Sequence, residues 1–126
     1  MRAIDTNVLV RLLVRDDAKQ VALAEAFVGG SAWVSHLVLA ETLWVLESVY
    51  DRTPAQLAAA LEILLEHDTL TLQDADTVAA ALAHFRQKPA LGFSDCLVLE
   101  IAVKAGHTPL GTFDKGLSRL ASVQRL

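Results

Sequence analysis

Asp5, Glu41, Asp95 and Asp114 are the residues whose type and position could do chemistry. Asp5 ends a short apolar run, Arg2-Ala3-Ile4, and leads at once into Thr6-Asn7 and a helix-like apolar stretch. Asp114 closes a second strand-like run, His107 to Thr112, and Glu41 and Asp95 lie near the starts of apolar helical segments. Open α/β sheets place their ligands beyond the carboxyl ends of the strands, where acids so placed would gather. Two carboxylates about 4 Å apart repel by roughly 1 kcal/mol in water and roughly 4 kcal/mol at an effective dielectric of 20. A cluster of four therefore calls for protons or a divalent cation, and oxygen-only ligands suit Mg²⁺ or Mn²⁺ rather than Zn²⁺. Taken singly, each acid has an ordinary use. Asp5 can cap a helix, Glu41 can face solvent, Asp95 can oppose a helix dipole and Asp114 can sit in a turn.

The elements that must position these acids alternate in type. Strand one covers about residues 2–5, and the helix after it carries Leu9, Leu12 and Leu13 on one face. Asp16-Asp17 can cap a second helix, in which Leu23 and Phe27 pair at i, i+4 and which Gly29-Gly30 ends. Ala32-Trp33-Val34 reads as a short buried strand, followed by a helix over about 37–50 with Leu39, Leu43, Leu46 and Tyr50 on its main face. Thr53-Pro54-Ala55-Gln56 has the form of a capping box with Pro at the first helical position, opening a helix that buries Leu57, Leu61, Leu64 and Leu65. Thr69 to Leu72 is a strand. Asp74 is then expected to cap a helix with Val78, Leu82 and Phe85 inward. Ser94 is expected to cap the next, with Leu97, Val98 and Ile101 inward and a stop at Gly106. A strand at about 108–112, a short helix at 115–120 and an edge strand over 122–126 complete the pattern. Strands separated by helices favour a three-layer α/β/α sandwich around a parallel sheet of four to five strands, in a single domain over 1–126. Right-handed crossovers put all the carboxyl ends on one edge. With strand one central, the 108–112 strand would lie beside it.

Composition narrows the function classes. The apolar fraction is 53% and the formal net charge is −4, so bulk electrostatic grip on nucleic acid is not expected. An acidic cleft filled by cations can still attract phosphate. No apolar run reaches the roughly 18 residues of a membrane span, and the chain meets Asp5 too early for a secretory signal. The single Cys96 reads as a small core residue in a reducing, cytoplasmic setting. His36, His67, His84 and His107 lack metal-ligand spacing, and no Ser/His/Asp arrangement, phosphate loop or Cys-X-X-Cys is present.

Four segments in register resemble the PIN-domain family, and most closely its VapC-type ribonuclease toxins. They are Ile4-Asp5-Thr6-Asn7-Val8-Leu9-Val10-Arg11, Val38-Leu39-Ala40-Glu41-Thr42-Leu43, Phe93-Ser94-Asp95-Cys96-Leu97 and Thr112-Phe113-Asp114-Lys115. The resemblance covers nearly the whole chain. It implies metal-dependent endonucleolytic cleavage of RNA by the quartet Asp5, Glu41, Asp95 and Asp114, with Thr6, Asn7, Ser94 and Thr112 as supporting polar groups. It also implies a homodimer and a cognate VapB-like antitoxin that binds DNA and blocks the active site, so that DNA is met only through that partner. Two departures leave the number of metals open. Many members carry an acid three residues before the position of Asp95, where this chain has Gly92, and another shortly after the position of Asp114, where it has Lys115-Gly116-Leu117.

The expected arrangement is one Mg²⁺ (or Mn²⁺) held by Asp5, Asp95 and Asp114, with Glu41 nearer the attacking water or a second ion. Arg11 and Lys115 are candidates to contact flanking phosphates. Two alternatives are a catalytically inert PIN-like interaction module and a phosphoacceptor receiver domain. The latter would need its phosphoacceptor near Asp51, which reads as a helix boundary.

Overall fold

Asp5 follows a strand of only two residues. In the computed structural model, which describes residues 1–126, β1 is Arg2–Ala3. The chain divides into two compact units, Met1–Ala75 and Asp76–Leu126. Six α-helices and five strands alternate in the expected order, and every strand pairing is parallel.

In the first unit β1 is followed by α1 (Thr6–Val14), α2 (Ala18–Val28), β2 (Ala32–Val34), α3 (His36–Ser48), α4 (Pro54–Leu65) and β3 (Leu70–Leu72). The strands form a sheet in the order β1-β2-β3, with Arg2 opposite Ala32 and Ala32 opposite Leu70. Asp5, Ser35 and Gln73 therefore all leave at the same carboxyl edge. Local chemistry fixes the helix starts. Asp17 caps α2 by accepting from the Gln20 N–H, and Ser35 caps α3 by accepting from the Val38 N–H. Thr53 and Gln56 form the reciprocal capping box of α4. Gly29 ends α2 at φ +56°, a conformation that costs glycine little. Ile4, Leu9, Val34, Leu39, Leu43 and Leu61 are among the buried side chains of the core.

The inward face of α2 is Val21, Ala24 and Val28. Leu23 and Phe27, expected to pack as a pair, are 64% and 44% exposed. α2 packs against α1 and gives its inward face to the smaller side chains, Val21, Ala24 and Val28.

The second unit contains α5 (Ala75–Gln87), α6 (Phe93–Ala105), β4 (Leu110–Thr112) and β5 (Val123–Arg125). Val78, Leu82 and Phe85 point inward as expected, and the Phe85 and Phe93 rings meet edge to face at 6.3 Å. Asp74 precedes α5 at φ +40°, outside the extended conformation of a capping residue. Ser94 does not cap α6. A 3₁₀ turn over Pro89–Leu91 runs into Gly92, which occupies the cap position at φ +78°, so Ser94 and Asp95 already lie in the first helical turn. The inward residues of α6 are Phe93, Cys96, Leu97 and Leu99, whereas Val98 and Ile101 are exposed. Glu100 sits on the half-buried side because His84 meets it, Nε2 to Oε1, at 2.7 Å.

β4 pairs with β5, so the five strands are hydrogen-bonded as a three-stranded and a two-stranded sheet. The adjacency of strand one and the 108–112 strand, expected from strand order, is not a ladder. β1 is only two residues long, and the one ladder it makes is with β2. The segment expected as a helix at 115–120 is a single 3₁₀ turn, Leu117–Arg119.

Candidate functional site

Asp5 both ends the β1 segment and caps α1. Its backbone is extended, and its carboxylate accepts from the Thr6 N–H at 2.7 Å. The capping role thus coexists with an exposed carboxylate at the sheet's carboxyl edge. Beside it, the Thr6 hydroxyl is buried and has no hydrogen-bond partner. Such orphaned groups are rare in native proteins and fit a place where an ion or water is held. Asn7 is exposed on the first turn of α1.

Glu41 lies in the second turn of α3, further into the helix than the sequence reading placed it, because the helix begins at His36. It is exposed, and it lies on one stripe with the exposed Leu37 and Trp44, one turn to either side. α1 and α3 pack against each other, so the elements carrying Asp5 and Glu41 are neighbours in the first unit.

Sequence reasoning missed polar groups at this edge. The Gln73 side chain accepts from the His36 N–H at 2.8 Å, and the His36 Nε2 is buried without a partner. The only sequence signal was that both residues directly follow a strand or its cap.

Arg11, a candidate phosphate contact, is engaged within its own unit. It donates to Gln20 Oε1 at 2.6 Å, to Asp16 Oδ1 and to the Tyr50 hydroxyl at 3.1 Å, and Tyr50 in turn donates to Asp16. Tyr50 and, after it, Asp16 hold its guanidinium pKa above the ordinary value. Arg11 ties α1 to the start of α2 and the end of α3.

In the second unit the negative charge of Asp114 acts on Asp95. Asp95 is half-buried in the first turn of α6, and its carboxyl pKa is raised, first by burial and then by the negative charge of Asp114. Asp114 follows β4 in a tight turn. Its N–H donates to the Thr112 hydroxyl, and its own carboxylate accepts from the Gly116 N–H, both at 3.0 Å. Thr112 therefore acts on the acid's backbone. Ser94 is exposed one residue before Asp95, and Lys115 is exposed one residue after Asp114.

A hard cation fits this pair. The donors are carboxylate oxygens, and a positive charge would offset both the repulsion and the burial that hold Asp95 toward its neutral form. Mg²⁺ commonly takes one or two carboxylates and completes its shell with water and substrate phosphate. Within neither unit do three or more His, Cys, Asp or Glu residues form a metal-holding group.

Cys96 is buried, and burial pushes its thiol up to about 11, which removes it as a nucleophile near neutral pH. Asp51 lies between α3 and α4 at φ +54°, not at a strand end, so the receiver reading loses its phosphoacceptor. No helix is long and apolar enough to cross a membrane.

No curated protein and no solved structure gives a significant match to the chain. The family model described as PIN domain matches residues 3–123, a span that includes all four acids. PIN domains are as a rule nucleases, generally dependent on divalent metal ions. With the α/β architecture and the coupled acids in agreement with that match, the chain belongs to the PIN-domain family.

Proposed function

We propose that this protein is a divalent-cation-dependent endoribonuclease that cuts single-stranded RNA and serves as the toxin of a VapC-type toxin–antitoxin pair. The observation that carries the nuclease reading is the match of the PIN-domain family model over residues 3–123, a span that holds Asp5, Glu41, Asp95 and Asp114, and the negative charge of Asp114 acting on Asp95 agrees with it. The toxin reading is supported by the resemblance of the segments around Asp5, Glu41, Asp95 and Asp114 to those toxins.

On this reading Asp5, Asp95 and Asp114 hold Mg²⁺ or Mn²⁺. A cation there would offset charge developing on the phosphate and lower the pKa of a water at the site. Glu41 orients the attacking water or accepts its proton. The buried Thr6 hydroxyl, which no protein group partners, would bond a water or ion ligand at the site, and Asn7 and Ser94 serve as supporting polar groups. Thr112 holds the turn that presents Asp114. Lys115 contacts a flanking phosphate. A VapB-like antitoxin and a second copy of the chain are the expected protein partners, with DNA reached only through the antitoxin.

Induction in a bacterial host followed by sequencing of RNA 5′ ends tests this reading. New ends at a restricted set of single-stranded sites, absent with Asp95→Asn, are expected. An RNA-end profile identical in the two inductions would overturn it.

A further inference from the structure

The groove between α1 and α2 has the chemistry of a nucleobase site. It is a cavity of about 430 Å³ within the first unit, inside the roughly 300–1,000 Å³ range of small-ligand sites. Its apolar walls are Val8, Leu23, Ala24 and Phe27. Leu23 and Phe27 are the large side chains that α2 turns away from its core. The primary amides of Asn7 and Gln20 also line it. Gln20 accepts from Arg11 through Oε1, which leaves the two donors of its amide nitrogen unused by that bond. The Arg2 guanidinium lies over one face of the Phe27 ring, 4.9 Å from its centroid, so a base would stack on the other face. Asn7 is two residues beyond Asp5, so the groove begins at the end of α1 that carries one of the acids assigned to catalysis.

We infer that this groove binds one unstacked base of the single-stranded RNA substrate, and so sets the base preference at a position next to the cut. The inference rests on the nuclease reading and adds to it a specificity site. Proteins read single-stranded RNA by stacking splayed bases on aromatic side chains and hydrogen-bonding their edges. Phe27 offers the ring, Asn7 and Gln20 offer edge partners, and Arg2 offers a charge for the adjoining phosphate. A protein helix laid on Leu23 and Phe27 would use the apolar pair but would bury two primary amides and a guanidinium that it does not need.

The test uses the full-length chain as wild type, Phe27→Ala, Phe27→Tyr and Leu23→Ala, each checked for an unchanged melting profile. The first measurement is cleavage of a randomised single-stranded RNA pool with Mg²⁺. Phe27→Ala is expected to flatten base preference at one position and to raise KM roughly tenfold with little change in kcat, the scale of one lost base–aromatic stack. Phe27→Tyr should retain both properties, and Leu23→Ala should fall between. A folded Phe27→Ala protein with unaltered preference and KM would overturn the base site while leaving the nuclease standing. The second measurement, independent of cleavage, titrates the four nucleoside 5′-monophosphates into Asp5→Asn protein and follows backbone and side-chain amide resonances. Shifts confined to α1, α2 and the Gln20 amide are expected, with one base favoured. No shift there at millimolar nucleotide would overturn the site. So would a Phe27→Ala phenotype limited to loss of self-association in sedimentation, which would make the groove a contact between copies. Absence of cleavage by the wild type would instead count against the nuclease reading.

Discussion

Asp95 and Asp114 are coupled: burial, and after it the negative charge of Asp114, hold the Asp95 carboxyl above its ordinary 3.8. A group whose pKa is raised by folding contributes stability while protonated, below its unfolded pKa, and loses it as pH rises through the folded value. Asp95→Asn keeps the shape and removes the charge. In metal-free protein at pH 7 it should raise stability by up to about 1 kcal/mol, solvent at the exposed Asp114 partly screening the pair. That corresponds to a melting rise of up to about 3–6 °C. The gain should shrink toward zero below pH 4, where wild-type Asp95 is itself protonated, and thermal melts across pH check it.

Divalent cations should act in the same sense on the wild type. Mg²⁺ or Mn²⁺ that binds the native state alone stabilises it by about 1.4 kcal/mol at ten times its Kd. Asp95→Asn and Asp114→Asn should each lose most of this response. Melting with and without EDTA measures it, and a flat wild-type response would favour an inert module.

Thr53→Ala removes one half of the capping box that opens α4. It should cost about 1 kcal/mol, lowering the melting temperature by about 3–6 °C. RNA cleavage at 25 °C should be unchanged, since Thr53 has no part in the proposed chemistry. Calorimetry and an activity assay on one preparation separate the two effects.

Cys96 should resist thiol reagents in the folded protein at pH 8, because it is buried and its thiol is pushed up to about 11. Reaction should appear only with denaturant. Cleavage by Cys96→Ala should stay within about twofold of wild type, any deficit tracing to stability through the small cavity. Full labelling of the native protein would contradict the core assignment.

The sequence made some of this legible and hid the rest for physical reasons. Thr53-Pro54-Ala55-Gln56 is a local signal, and it formed the expected cap. Asp5 was readable because strand, acid and helix follow one another within a few residues. The inward face of α6 was not readable. Nearly every position from Cys96 to Val103 is apolar, so several helical stripes look alike, and the one polar residue, Glu100, faces the half-buried side because of His84, sixteen residues earlier. The start of α6 was misplaced because Gly92 caps it by backbone conformation alone, with no side-chain signature. The exposure of Leu23 and Phe27 was hidden by the same ambiguity of helical faces, and the division of the strands into two sheets was hidden by how little ladder a two-residue strand can make. The coupling of Asp95 to Asp114 depends on side-chain placement that spacing alone does not give.

The most direct measurement is cleavage of end-labelled single-stranded RNA by purified wild type, Asp5→Asn and Asp95→Asn, each shown to be folded, with Mg²⁺ or Mn²⁺ and with EDTA. Cutting by the wild type that requires the cation, and that falls at least about a thousandfold in both variants, a loss of about 4 kcal/mol in transition-state stabilisation, is the predicted result. Undiminished cutting by either folded variant, or by the wild type in EDTA, would contradict the account.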